Sequence, residues 1–138
     1  RAPHGGADAG AAAVATTMIA GGMADGVIRP NSLRLVQGLG LFKKVVVDTH
    51  VNTESRDARS MVAICILEDI VSMGLDEDTA IHVRADKVVV YGIGHARLFK
   101  PSTGHKGRMT VSKDGTRASV SNVAVTFLSA GDEFDTPR

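Results

Sequence analysis

The sequence has a single cysteine, Cys65, so no internal disulfide can brace the fold. Cys65 lies in the apolar run Met61 to Leu67, which offers none of the polar, electropositive surroundings that a reactive thiolate needs. It reads as a small buried hydrophobe. Its isolation favours a reducing compartment, with a disulfide-free secreted protein as the alternative, and localisation stays open. An excess of one charge is also lacking: 16 Lys and Arg stand against 15 Asp and Glu, a formal net charge of +1. No strong field therefore points to nucleic acid or to an anionic membrane. No apolar run is long enough to span a bilayer. Arg1 to Gly6 lacks the apolar core of a signal peptide, which carries no weight if Arg1 is not the native start. His4, His82, His95 and His105 are scattered, and no Cys/His pair has metal-ligand spacing, so no metal is expected. Gly92-Ile93-Gly94 is too short for a dinucleotide fingerprint, and no cofactor is expected.

What is present is 138 residues, 43% hydrophobic and 22% charged, which suits one soluble globular domain rather than two. Asp8, an alanine-rich run and Gly21-Gly22 predict a helix over residues 8 to 20. Residues 23 to 44 carry breakers and read as irregular. Val45-Val46-Val47 is fully apolar and β-branched, the pattern of a strand buried on both faces of a parallel sheet. Helical spacing of Ala58, Met61, Val62, Cys65, Ile66 and Asp69 predicts a helix from about Ser55 to Met73, ended by Gly74. Ala80 to Val83 and Lys87 to Tyr91 read as a hairpin about Arg84-Ala85-Asp86. Strands are further expected at Ala96 to Phe99, Met109 to Val111 and Val123 to Leu128, and the tail Ala130 to Asp135 reads as turn-like. A doubly wound sheet needs further βα units ahead of the first helix. The expectation is that residues 1 to 138 supply the C-terminal half of one domain. The N-terminal half is then expected elsewhere, on a missing segment or a partner chain. Such a chain alone is not expected to be a stable monomer, and a homo-oligomer is the expected assembly.

Four motifs carry possible chemistry. Gly6-Ala7-Asp8-Ala9-Gly10 becomes the nucleophile elbow G-x-S-x-G if serine replaces Asp8. Such an elbow presents its middle side chain at a helix N-terminus, where N–H groups can hold an oxyanion. A plain N-cap explains Asp8 as well. His50 follows Val45 to Thr49, at the C-terminal end of a buried strand, where open α/β sheets place functional groups; a histidine packed under a loop is the alternative. Leu75-Asp76-Glu77-Asp78-Thr79 is either a solvated acidic turn or the loop that supplies a carboxylate to orient a histidine. Arg56 and Arg59 share one helix face and can clamp a carboxylate or simply be solvated.

In order, these pieces resemble the cyanophycinase family of serine peptidases, related to dipeptidase E. The family's G-T-S-A-G-A-A is similar to Gly6 to Ala12, and its V-I-D-Q-H-F is similar to Val46 to Val51. Its R-x-R-x-x-R-L is similar to Glu54 to Ser60, and its G-I-D-E-D-T-A to Gly74 to Ala80. Gly38 to Leu41 and Leu128 to Asp135 also fit. The resemblance covers essentially the whole chain. It implies a nucleophile position at Asp8, a general base at His50 and its orienting carboxylate at Glu77. It implies substrate-binding positions at Asp48, Thr49, Glu54, Arg56 and Arg59. It also implies a flavodoxin-like, doubly wound, mostly parallel α/β sheet with an elbow, here with a β-rich C-terminal end. The substrate class is a β-linked aspartyl-arginine polymer or a related aspartyl peptide.

Asp8, Thr49 and Glu54 depart from the family's serine, glutamine and arginine. A carboxylate attacking an amide forms an anhydride, and because the carboxylate is the better leaving group the tetrahedral adduct reverts. The expected identity is a peptidase homologue, inactive or altered, that still binds peptide. The alternatives are a hydrolase using Asp8 on alkyl esters or halides, where attack at saturated carbon gives an ordinary ester, and a non-catalytic assembly protein on the same fold.

Overall fold

The computed structural model of the chain describes residues 4–6, 8–22, 25–31, 33–52 and 56–137. Fourteen elements follow one another: β1 (His4–Gly6), α1 (Asp8–Ala13), β2 (Thr17–Gly22), β3 (Leu33–Gln37), β4 (Val45–Thr49), α2 (Asp57–Ile66), β5 (Val71–Leu75), β6 (Thr79–Arg84), β7 (Lys87–Gly92), β8 (Ala96–Pro101), β9 (Arg108–Val111), β10 (Ala118–Ser121), β11 (Val123–Leu128) and β12 (Glu133–Asp135). The class is α/β, rich in strands and short of helix.

Two four-stranded sheets, in the orders β11-β8-β5-β4 and β1-β6-β7-β12, face each other across the core. Val45, Val47, Met73, Leu75 and Ala96 from one meet Ile81, Val83, Val88 and Val90 from the other. Successive strand residues point to opposite faces. Val46 and Asp48 therefore turn away from that core, toward the side covered by α2, whose Arg59 bonds Asp48. All five residues of β4 are buried, as the apolar triplet predicts. Its pairing with β5 is parallel, also as expected.

Several expectations are corrected. The helix expected over residues 8 to 20 stops at Ala13. Beyond it, Thr16, Thr17 and Ile19 are β-branched and lose rotamer freedom in a helix. The chain instead forms β2, antiparallel to β3 within the stretch expected to be irregular. Gly38 lets this ribbon close on the end of α1, because a Cβ there would lie 2.1 Å from the Ala15 carbonyl oxygen. The helix expected to Met73 ends at Ile66; Leu67 is extended, and Asp69 takes a left-handed φ of 55°. Val71 to Leu75 then forms the strand beside β4, since cross-strand pairing outweighs helical spacing that holds only as far as Ile66. The tail read as turn-like gives β12, paired with β7. The sheet expected to be mostly parallel has one parallel strand pair among the described residues, β4 with β5; its other pairings, β5–β8 and β8–β11, are antiparallel. The hairpin of β6 and β7 forms as expected, with Ala85 at φ 54° in its turn.

Gly74 is where the sheet admits the chain leaving β4. A Cβ there would sit 2.9 Å from Val51 Cγ1, and Val51 is itself buried. We expect Gly74→Ala to lose about 1–3 kcal/mol of stability, the usual cost of overpacking. Urea unfolding measures it, and an unchanged midpoint would contradict the packing of Val51 on Gly74.

Candidate active site

The parallel register runs from Val45 opposite Val71 to Thr49 opposite Leu75. The two strands therefore end side by side, and the loops that leave their C-termini emerge at one edge. His50 comes directly after β4 with a left-handed φ of 55°, and Asp76 and Glu77 come directly after β5. His50 Nδ1 lies 4.0 Å from Glu77 Oε1. That is a charge contact when the imidazole is protonated, and it is longer than a hydrogen bond of about 3 Å. Both side chains reach solvent, with relative exposures of 31% and 53%.

Asp8 begins α1, and the strand before it, β1, ends two residues earlier at Gly6. That strand pairs antiparallel with β6. The side chain of Asp8 lies outside the described residues, and so does the expectation that it stands on the far side of the imidazole. Glu54 lies outside them as well.

The expected substrate-binding residues form a cluster of their own. Asp48 is buried, and its Oδ1 accepts from Arg59 Nη2 at 2.8 Å and from the Thr49 amide at 3.0 Å. Arg56 Nη1 stands 3.7 Å from the same oxygen and donates to the Thr49 carbonyl at 2.8 Å. Thr49 itself is buried. Arg59, 5% exposed, is thus engaged inside the protein by Asp48. Burial pushes the Asp48 carboxyl above its ordinary value, more than Arg59, the Thr49 amide and Arg56 draw it down.

A second charge network escaped the sequence reading. Arg97 Nη1 bonds Asp57 Oδ2 at 2.7 Å, and Arg97 Nε stands 3.2 Å from Asp76 Oδ1. The His95 amide donates to Asp76 Oδ2 at 3.0 Å, and the Phe127 ring lies 5.0 Å from the guanidinium. Arg97 so joins the start of α2 to the loop that carries Glu77. Arg97 and Asp57 are 40 residues apart, and no local pattern marks the pair. Asn52 was also missed; its Oδ1 accepts from the Glu77 amide at 2.9 Å. A cavity of about 300 Å³ lies beside these groups, lined by Val51, Asn52, Asp57, Met61 and Arg97. A cavity of about 380 Å³ opens at the other end of β4, around Lys43, Lys44 and Val45, away from the site. Among the described residues no group of three His, Cys, Asp or Glu could hold a metal ion. None of their helices is long and apolar enough to cross a membrane.

With this geometry in place, residues 1–91 match Peptidase family S51, and the chain belongs to that family. Its similarity to curated relatives runs beyond that span. It is 32% identical to a cyanophycinase of Trichormus variabilis over 131 residues, which is 94% of this chain and 44% of the relative. It is 32% identical to a cyanophycinase of Synechococcus elongatus, over 95% of this chain and 41% of that one. It is 34% identical to a cyanophycinase of Geminocystis herdmanii, over 95% of this chain and 48% of that protein. The chain is a cyanophycinase-like member of the family, and it spans somewhat less than half the length of the relatives it matches.

Removing Arg59 leaves Asp48 buried without its nearest cation. We expect Arg59→Met to cost about 3–5 kcal/mol, and Asp48→Asn added to it to recover part of that loss in urea unfolding. The pH dependence has a definite sign. The folded state holds the Asp48 proton more tightly than the unfolded chain, whose carboxyl titrates near about 4. Stability contributed by this group therefore falls as pH rises from that value through the raised one, and returns on acidification. Asp48→Asn should remove that slope.

Proposed function

We propose that the chain carries the base and its orienting carboxylate of a cyanophycinase-like peptidase site, His50 and Glu77. In this reading Asp8 occupies the nucleophile position, and the site binds aspartyl peptides without hydrolysing them. The observation that carries the reading is the meeting of His50 and Glu77 at the C-terminal ends of the one parallel strand pair among the described residues. These two residues belong to motifs that lie 27 positions apart in sequence, and the family match spans both. Open α/β sheets place ligands at that edge.

The chemistry assigns each residue a task. A neutral His50 imidazole accepts a proton from a hydroxyl nucleophile, and the Glu77 carboxylate steadies the imidazolium that results. With aspartate at position 8 there is no hydroxyl proton to take. Attack by its carboxylate on an amide gives an adduct that expels the carboxylate again, so peptide binds and is released intact. Asp48, Thr49, Glu54, Arg56 and Arg59 stand at the positions the family resemblance gives to substrate binding. In this chain the Asp48–Arg59 pair works from beneath the site, holding the start of α2 against β4.

The cyanophycinases it resembles are more than twice its length. On that ground we propose that the chain is the C-terminal half of a flavodoxin-like, doubly wound domain. The other half is contributed by further polypeptide or a partner chain, and the whole assembles as a homo-oligomer.

The test is Asp8→Ser in the intact protein. Cleavage of an aspartyl peptide should be undetectable before the substitution and measurable after it. Adding His50→Ala should abolish the gain, because the hydroxyl then lacks its base. A panel of aspartyl peptides with basic and neutral partners covers the departures at Thr49 and Glu54. Hydrolysis by the unaltered protein would overturn the assignment of Asp8, and a serine variant that binds these peptides but cleaves none would favour the non-catalytic binding protein over the peptidase.

A further inference from the structure

Glu77 can orient His50 only if its carboxylate stays within reach of the imidazole, and the two residues sit on separate loops. The loop after β5 is held firmly on the side away from β4. The Asp76 amide donates to the His95 carbonyl at 3.0 Å, Asp76 Oδ2 accepts from the His95 amide, and Asp76 Oδ1 stands 3.2 Å from Arg97 Nε as an ion pair. The Ile93 amide donates to the Asp78 carbonyl at 3.1 Å, and Thr79 Oγ1 to the Glu77 carbonyl at 3.3 Å. These contacts fix the residues around Glu77 to the connection between β7 and β8 and to the start of β8. Toward His50 the attachment is different. The Val51 amide, two residues past the end of β4, reaches the Leu75 carbonyl at 3.3 Å, and the next side chain, Asn52, accepts the Glu77 amide proton at 2.9 Å.

We propose that Asn52 is a positioning residue: by holding the Glu77 main chain against the His50 loop, its amide oxygen sets where the Glu77 carboxylate stands relative to the imidazole. The inference rests on the reading of His50 and Glu77 as base and orienter. At 4.0 Å the pair is within about 1 Å of a hydrogen bond, so a small displacement of the Glu77 main chain decides between contact and none. The Glu77 side chain is half exposed, and without an anchored main chain it has solvent-facing rotamers available. Asn52 is exposed too, so truncating it leaves no buried group unsatisfied and does not threaten the fold. A mere loop stabiliser at this position would change local stability but not the state of the His50 ring.

The experiment has a spectroscopic arm and a kinetic arm, both in the intact protein. The His50 ring resonances are followed by NMR at fixed pH in Glu77→Gln, Asn52→Ala and Asn52→Asp. Glu77→Gln should move them, Asn52→Ala should reproduce most of that shift, and the two together should add little. Asn52→Asp keeps an acceptor for the Glu77 amide and should leave the ring close to its unaltered position. In the Asp8→Ser background, Asn52→Ala should lower kcat about tenfold or more with KM within about twofold, as expected when orientation rather than binding is lost. Asn52→Asp should restore most of the rate. A His50 ring that responds to Glu77→Gln but not to Asn52→Ala overturns the positioning role. So does an Asn52→Asp variant that behaves like Asn52→Ala. If Asp8→Ser cleaves nothing while the ring shifts follow the expected pattern, the peptidase reading fails and the positioning role stands. If Glu77→Gln leaves the ring unmoved, both fail.

Discussion

The parallel pairing of β4 with β5 is the constraint on which the rest of the site depends. Its register sets Thr49 against Leu75, so the chain leaves both strands at the same level. A slip of one residue would exchange the faces of each strand. Val45 and Val47 would leave the apolar core, and Asp48 would enter it without a partner. The register is therefore fixed by the same alternation that builds the core, and the closeness of His50 and Glu77 follows from it.

Around that pair the protein keeps its charges in two networks that run in opposite directions. Asp48, Arg56 and Arg59 bind the end of β4 to the first turns of α2. Asp57, Arg97 and Asp76 bind the same helix start to the end of β5 through β8. Desolvating charges is costly, and a buried ion pair is poor evidence for stability by itself. Its value here is geometric, because each network ties a helix terminus to a strand terminus at the edge where His50 and Glu77 meet.

Some of this is legible in the residues alone. The apolar triplet Val45 to Val47 reads as a strand buried on both faces, which suggests a parallel sheet, because such sheets are covered on both sides. The hairpin about Arg84-Ala85-Asp86 reads from alternation and a short polar link. The ordered motifs at Asp8, His50 and Glu77 lead to the family. Misread are the stretches in which local preference and long-range pairing disagree. Thr17 to Gly22 continues an alanine-rich helical run, and Val71 to Leu75 continues a helical spacing, yet each finds a strand partner. Neither partner is visible from neighbouring residues.

The sequence by itself determined the class, the family and the residue types available at the site, because those reside in local pattern and in motif order. Only the tertiary structure decided which groups meet. Arg97 reaches Asp57 and Asp76, and Asn52 reaches Glu77, across separations of 25 residues in the last case and 40 in the first. Arg59 faces inward to Asp48 rather than outward, although its helical spacing from Arg56 would suit a solvated face equally well. Hydrogen bonds and ion pairs act over a few ångströms of space, and chain separation enters them only through the fold that closes the distance.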